Sequence, residues 1–323
     1  MCTAINIFGE RHLFGRTLDL ECSYGERVVV TPRNFRIDIL YGRSFISHLA
    51  LVGTACVRDG FPLYYDAMNE AGLCVAALNF PKSAVYSAAP REGQSNIASF
   101  EFIPWVLCQC ESVGEAEELL WKTRVTEDGF SRDMPPSPLH WIVADRHRAI
   151  TVEPLEDGLK IHENTLGVLT NEPPFLYHLT HLADFVHLSA DYPQNRLCKE
   201  DIDIYSRGLG AVGLPGDFSS ASRFVRAVFL KEHTDRAQNE AEEISRFFHI
   251  TDGLSVPRGS VKTDNGESVL TVYTSCACSG SLTYYFTTYG CRRIRAIDMR
   301  CAKLDGGELV LFDMDCEEDI LRL

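Results

Sequence analysis

The sequence has 323 residues, with 31 lysines and arginines against 45 aspartates and glutamates, and is 45% hydrophobic and 24% charged. These proportions exclude a disordered, collagenous or fibrous chain, and a formal net charge of −14 argues against a nucleic-acid partner, whose phosphates select the opposite sign. The opening MCTAINIFGERHLFG has no basic segment leading into an apolar one, and no run reaches the ~20 apolar residues of a membrane span, so a cytoplasmic chain with no membrane partner is expected.

In chain order, runs rich in β-branched and aromatic residues predict strands over 3–8, 27–31, 50–57 and 73–80. Ser99 is placed to cap a helix containing Phe102, Pro104 and Trp105, and Ser112 with Glu115 has the spacing of a capping box ahead of AEELLWKTR. Strands return over 139–145, 149–154 and 167–171. After a polar, proline-containing stretch near Tyr192, helices are expected over Ser220 to His233, where Phe224, Val225, Val228 and Phe229 recur at helical spacing, and over 239–249. The last strands are expected over 269–275, 281–289, 292–299 and 308–312. No repeat or long linker interrupts the chain, so residues 1–323 are expected to form a single domain. The absence of strict βαβα alternation predicts an α+β chain of layered, largely antiparallel sheets flanked by helices. No GxGxxG, P-loop or HExxH motif is present.

Twelve cysteines occur, too few for a small disulfide scaffold, and mostly free thiols in a reducing compartment are expected. Cys2 follows the initiator methionine, and a cysteine there is small enough for Met1 to be removed. The mature residue would carry both a thiol and a free α-amine, which ordinarily titrate within about a unit of each other, so one residue supplies nucleophile and base. In FGRTLDL, Arg16 next to a thiol would favour thiolate, and Asp19 could hold an ammonium or a substrate amide; residue type alone fits a surface ion pair on a strand edge better. Asn171 reads either as a turn asparagine before Glu172, Pro173 and Pro174 or as a fixed donor to a developing oxyanion, where such a donor contributes ~3 to 4 kcal/mol. Arg223 lies in the first turn of its helix, a poor place for a cation, so it needs a specific partner; Asp217 or solvent would also serve.

The segments MCT, FGRTLDL, SYGE (23–26), MNEAGLCVAALNFP (68–81), LTNEP (169–173) and GLPGDFSSASRFVR (213–226) occur in one collinear order. In these the chain resembles the choloylglycine hydrolase family, which contains bile salt hydrolases and penicillin V acylases and belongs to the N-terminal nucleophile (Ntn) hydrolases. The resemblance implies a four-layer αββα sandwich. It implies Cys2 as nucleophile, Arg16 beside its sulfur, and Asp19 orienting the α-amine and the scissile amide. Asn171 would help form the oxyanion hole, and Arg223 would belong to the catalytic network. Asn79 matches a position that is asparagine in bile salt hydrolases and typically tyrosine in penicillin V acylases. Tyr24, Phe61 and Phe130, with Phe102, are core or loop aromatics of the kind that wall the steroid pocket in this family.

The implied activity is hydrolysis of glycine- or taurine-conjugated bile acids without metal or organic cofactor, by a homotetramer in a bacterial cytoplasm. A penicillin V acylase or another N-acyl amide hydrolase is the alternative within the family, and a noncatalytic thiol-rich or metal-binding protein the alternative outside it. The CxC pairs Cys108/Cys110 and Cys276/Cys278 lack zinc-site spacing. His178, His181 and His187 are expected on a surface or interface, and the eleven cysteines other than Cys2, including Cys316, are expected to be packing residues.

Overall fold

The computed structural model describes residues 1–315 and 317–323; Cys316 lies outside the described residues. In chain order the strands begin β1 (Cys2–Ile7), β2 (Leu13–Leu20), β3 (Arg27–Thr31), β4 (Leu51–Arg58), β5 (Phe61–Asn69), β6 (Cys74–Asn79) and β7 (Ser95–Ala98). Helices α1 (Phe102–Leu107) and α2 (Val113–Leu120) precede β8 (Thr123–Thr126), β9 (Leu139–Ala144), β10 (Ala149–Leu155), β11 (Gly158–Glu163) and β12 (Val168–Leu169). Helices α3 (Phe175–Leu182), α4 (Ser220–His233) and α5 (Glu240–Asp252) then lead to β13 (Val261–Lys262), β14 (Ser268–Cys278), β15 (Thr283–Thr288), β16 (Cys291–Asp298) and β17 (Val310–Asp313).

Two antiparallel sheets face each other. The first runs β12-β1-β2-β14-β15-β16, with β13 paired to β14; the second runs β11-β10-β9-β6-β5-β4-β3-β17. Helices α4 and α5 cover the outer face of the first sheet, and α1 and α2 that of the second, giving an αββα order. Because strand side chains alternate, neighbours on one strand enter different cores: Val28 and Val30 face the first sheet, whereas Val29 faces the α1–α2 layer. Cys74, Ala76 and Leu78 alternate in the same way with Val75 and Ala77. With both faces buried, such strands read as continuous apolar runs.

Local chemistry sets the helix starts. Ser112 accepts the Glu115 N–H, Ser219 that of Ser222, and Asn239 that of Glu242, with three glutamates in the first turn of α5. Ser99 does not cap α1. It lies in a 3-10 turn, Ser99–Glu101, stabilised instead by the Glu101 carboxylate, which accepts the Ala98 N–H at 2.8 Å and the Leu40 N–H at 2.6 Å. Strands β2, β5, β11, β13 and the parallel pair β7–β8 have no counterpart among the sequence expectations. In β2 the close approach to β14 requires glycine at position 15, since a Cβ there would sit 1.9 Å from the Ser275 carbonyl oxygen.

Candidate active site

Cys2 opens β1, and antiparallel register sets it opposite Leu18, with Ala4 opposite Arg16. Residues facing each other across a ladder share a face, so Arg16 projects with Cys2 toward the second sheet. There its Nη1 donates to the carbonyls of Tyr65, at 3.1 Å, and Ala77, while Nε reaches the Thr17 carbonyl at 3.3 Å. Its Nη2 is buried with no hydrogen-bond partner among the described residues. Burial disfavours the Arg16 charge, but Cys2, Tyr273, Asp66 and Asp19 outweigh it and hold the pKa above the ordinary arginine value.

The alternation of β2 sends Thr17 and Asp19 to the opposite face. Asp19 accepts hydrogen bonds from Thr271 Oγ1 at 2.6 Å and Thr17 Oγ1 at 3.2 Å. Burial pushes its carboxyl up, against Arg223, the N-terminal ammonium, the Thr271 bond and Arg16, all of which favour the anion. Its backbone pairs with Met1 in both directions: Met1 N donates to the Asp19 carbonyl at 2.6 Å, and Asp19 N–H to the Met1 carbonyl at 2.9 Å. With Met1 attached, Cys2 is 2% exposed.

Asn171 follows β12, which pairs with β1 through Ala4↔Leu169 and Ile5↔Val168, so two residues further along it meets Cys2. Its Oδ1 accepts the Cys2 N–H at 2.8 Å and Arg223 Nη2 at 2.7 Å, while its Nδ2 donates to the Asn79 carbonyl at 2.8 Å. Asn79, the last residue of β6, is half-buried, and its side-chain amide makes no hydrogen bond among the described residues.

Arg223 is fully buried. Nη1 donates to the Cys2 carbonyl and, at 2.6 Å, to Thr3 Oγ1, and Nε to the Phe218 carbonyl at 3.0 Å. These contacts account for a cation in the first turn of α4. Burial lowers its pKa, and Asp19 and Cys2 act in the opposite sense. Asp217 bonds instead to Ser219 and Ser222, which hold its carboxyl down at about 2.

The structure therefore gathers Cys2, Arg16, Asp19, Asn79, Asn171 and Arg223 around one strand end. Of the aromatics, Phe61 and Phe130 meet Phe100 in a cluster with ring centroids 5.3 to 5.9 Å apart. Tyr24 is exposed on a separate loop, tied through its carbonyl to Arg58 Nη2 at 2.9 Å. Phe102 is no pocket wall: it stacks on Trp141 at 4.0 Å in the α1 core.

Two other expectations are corrected, and one buried group was missed. His178 is buried against Phe224 rather than on the surface, because it shares the inward face of α3 with Phe175. Cys22, Cys198 and Cys301 are exposed rather than part of the core, whereas Cys56, Cys74, Cys108, Cys110, Cys276, Cys278 and Cys291 are buried. Asp66, which no sequence reasoning singled out, is fully buried behind Arg16 and accepts hydrogen bonds from the hydroxyls of Tyr273, Tyr284 and Ser275 at 2.6, 2.6 and 3.0 Å. No local pattern reveals it, since its partners lie over 200 residues away in sequence. Among the described residues, no group of three or more His, Cys, Asp or Glu side chains is disposed to hold a metal.

A cysteine opening the first strand, flanked by a buried cation between two facing antiparallel sheets, fits an Ntn-hydrolase fold, and comparison with known proteins agrees. The chain is 41% identical over 318 residues, covering 98% of both chains, to a bile salt hydrolase/transferase of Lactiplantibacillus plantarum. It is 37% identical over 314 residues to one from Clostridium perfringens, covering 96% of this chain and 95% of that one. The crystal structure of the C2A mutant of conjugated bile acid hydrolase from Clostridium perfringens superposes with a TM-score of 0.93 at 35% identity, over 100% of both chains. Penicillin V acylase from Agrobacterium tumefaciens shares the fold, with a TM-score of 0.76 at 23% identity over 97% of this chain and 91% of that one. The family model of linear amide C-N hydrolases, choloylglycine hydrolase family, matches residues 2–312, and the chain belongs to that family.

Proposed function

We propose that the protein hydrolyses the amide bond of glycine- or taurine-conjugated bile acids, with Cys2 as nucleophile after removal of Met1. The observation that carries this reading is the Cys2 nitrogen held 2.8 Å from Asn171 Oδ1. Once the Met1–Cys2 bond is cut, that same nitrogen is an α-amine on the residue bearing the thiol.

The α-amine takes the thiol proton, and the thiolate, stabilised by Arg16, attacks the amide carbonyl. Negative charge then moves to the carbonyl oxygen. The unpartnered Asn79 amide supplies a donor there, and the second hydrogen on Asn171 Nδ2 another. The α-ammonium returns its proton to the amide nitrogen as the C–N bond breaks, releasing glycine or taurine and leaving an acyl thioester. Water, deprotonated by the α-amine, attacks the thioester, and the bile acid departs as the C–S bond breaks. Asp19 and Arg223 fix the position and charge of the amine. Protein groups and water supply every step.

The substrate class is supported by the names of the relatives above and by the apolar cluster of Phe61, Phe100 and Phe130, a surface suited to a steroid; Tyr24 would wall a second side. Asn79, rather than tyrosine, favours bile salts over penicillin V. The whole chain acts as one catalytic domain, and thiols such as Cys22, Cys198 and Cys301, unbridged among the described residues, suit a bacterial cytoplasm. Copies assemble as a homotetramer; in support, the segment 186–212 exposes the side chains of Val186, Leu197 and Tyr205, which a subunit contact could cover.

The test is amine release from glycocholate, taurocholate and penicillin V. Turnover of the two bile salts is expected, and activity confined to penicillin V would overturn the assignment.

A further inference from the structure

Behind Asn171 lies a set of buried groups that the hydrolytic steps do not use. The Thr170 carbonyl receives His140 Nε2 at 2.9 Å, and the Asn171 carbonyl receives His178 Nε2 at 3.0 Å. A carbonyl only accepts, so both imidazoles carry their proton on Nε2. Ser220 Oγ completes the grip, accepting the Asn171 N–H at 2.8 Å and donating to Thr170 Oγ1 at 2.9 Å. Each ring is itself fixed. His140 stacks on Phe80 at 4.2 Å and 6°, and Glu153, which also accepts the Phe175 N–H, faces its Nδ1 at 3.2 Å. His178 stacks on Phe224 at 4.9 Å and 17°.

We propose that His140 and His178 are positioning residues that aim Asn171 at Cys2. This rests on the role given to Asn171 above. Asn171 stands beyond the end of a two-residue strand, so its own ladder bonds leave it free to rotate. The two imidazoles replace the missing ladder partners, in a region where water does not reach: His140 and His178 are 0% and 1% exposed. Rotation of the 170–171 peptide would carry Oδ1 away from the Cys2 nitrogen and Nδ2 away from Asn79 together. Burial also lowers the His178 pKa, which keeps the ring neutral; the bond to the Asn171 carbonyl and the Glu153 charge oppose this, and His140 adds to it.

The experiment compares His178→Phe, which keeps the stack but has no donor, with His178→Gln, whose amide nitrogen reaches the same point. With glycocholate as substrate, kcat of His178→Phe is expected to fall about 10- to 100-fold with KM within about twofold, as misaimed catalytic groups do. His178→Gln should recover kcat to within about threefold of wild type. Unchanged kcat in His178→Phe, equal losses in both variants, or a loss carried by KM overturns the proposal. Where His178→Phe does not fold, the glutamine variant decides: recovery supports the proposal and a larger loss overturns it. His140→Phe and His140→Gln repeat the comparison at Thr170. Asn171→Ala separates the two readings. If it loses activity while His178→Phe does not, positioning fails alone; if it keeps wild-type kcat, both fail.

Discussion

Arg16 and Asp66 cross between the two sheets in opposite directions. The guanidinium leaves β2 for carbonyls on β5 and β6, and the carboxylate leaves β5 for hydroxyls on β14 and β15, with Ser275 Oγ touching both Asp66 and the Arg16 N–H. Asp66→Asn would set an amide donor against three hydroxyl donors and strand at least one buried group, at a cost of about 1–3 kcal/mol. The urea midpoint should drop accordingly, and Asp66→Asn as stable as wild type would show that the hydroxyls rearrange freely.

Cys2→Ala is expected to abolish turnover, whereas Cys108→Ala and Cys276→Ala should leave it largely intact. Burial pushes both of those thiols up, so they remain protonated and inert. Steady-state rates with taurocholate on the three variants decide the matter, and comparable losses in all three would indicate a shared thiol role.

Met1 occupies both backbone hydrogen-bonding groups of Asp19. A fusion that keeps residues ahead of Cys2 should therefore be inactive, and proteolysis that exposes Cys2 should restore activity. Intact mass reads the terminus directly; a fully active enzyme retaining Met1 would eliminate the α-amine as base.

Asn79→Ala should lower kcat about 100- to 1,000-fold, the loss typical of one oxyanion donor. Because the Asn79 side chain bonds to no other described residue, stability should change little. A fall in Tm matching the fall in kcat would assign it a structural role.

Burial drives the His12 pKa from 6.5 down to about 4; Asp145 opposes the shift, and Arg146 and His147 reinforce it. Between these values the unfolded chain takes up a proton that the folded one refuses, so stability falls as pH drops through that window, by up to the order of 3 kcal/mol. Above pH 6.5 the contribution is complete. Urea melts at neutral and mildly acidic pH should give a flatter dependence for His12→Gln than for wild type, and parallel curves would refute the assignment.

Cys2 stood out in the sequence because a cysteine behind the initiator methionine would carry thiol and α-amine on one residue, and Arg16 and Asp19 because they follow it closely. Their opposite faces did not, since β2 is buried on both sides and shows no alternation of polar and apolar residues. Asp66 was invisible for a different reason: an aspartate in FPLYYDAMN finds its partners only when the sheets pack. His178 could have been found. Phe175, His178 and Leu182 keep helical spacing, but its nearness to His181 and His187 in sequence suggested a surface group.

Strand parity at β2 also makes catalysis a register gauge. A slip of one residue against β1 would leave the ladder with as many backbone bonds, yet it would exchange the faces of the cation and the carboxylate. Secondary structure would survive such an error and turnover would not, so hydrolysis measures the pairing of two strands more sharply than circular dichroism can.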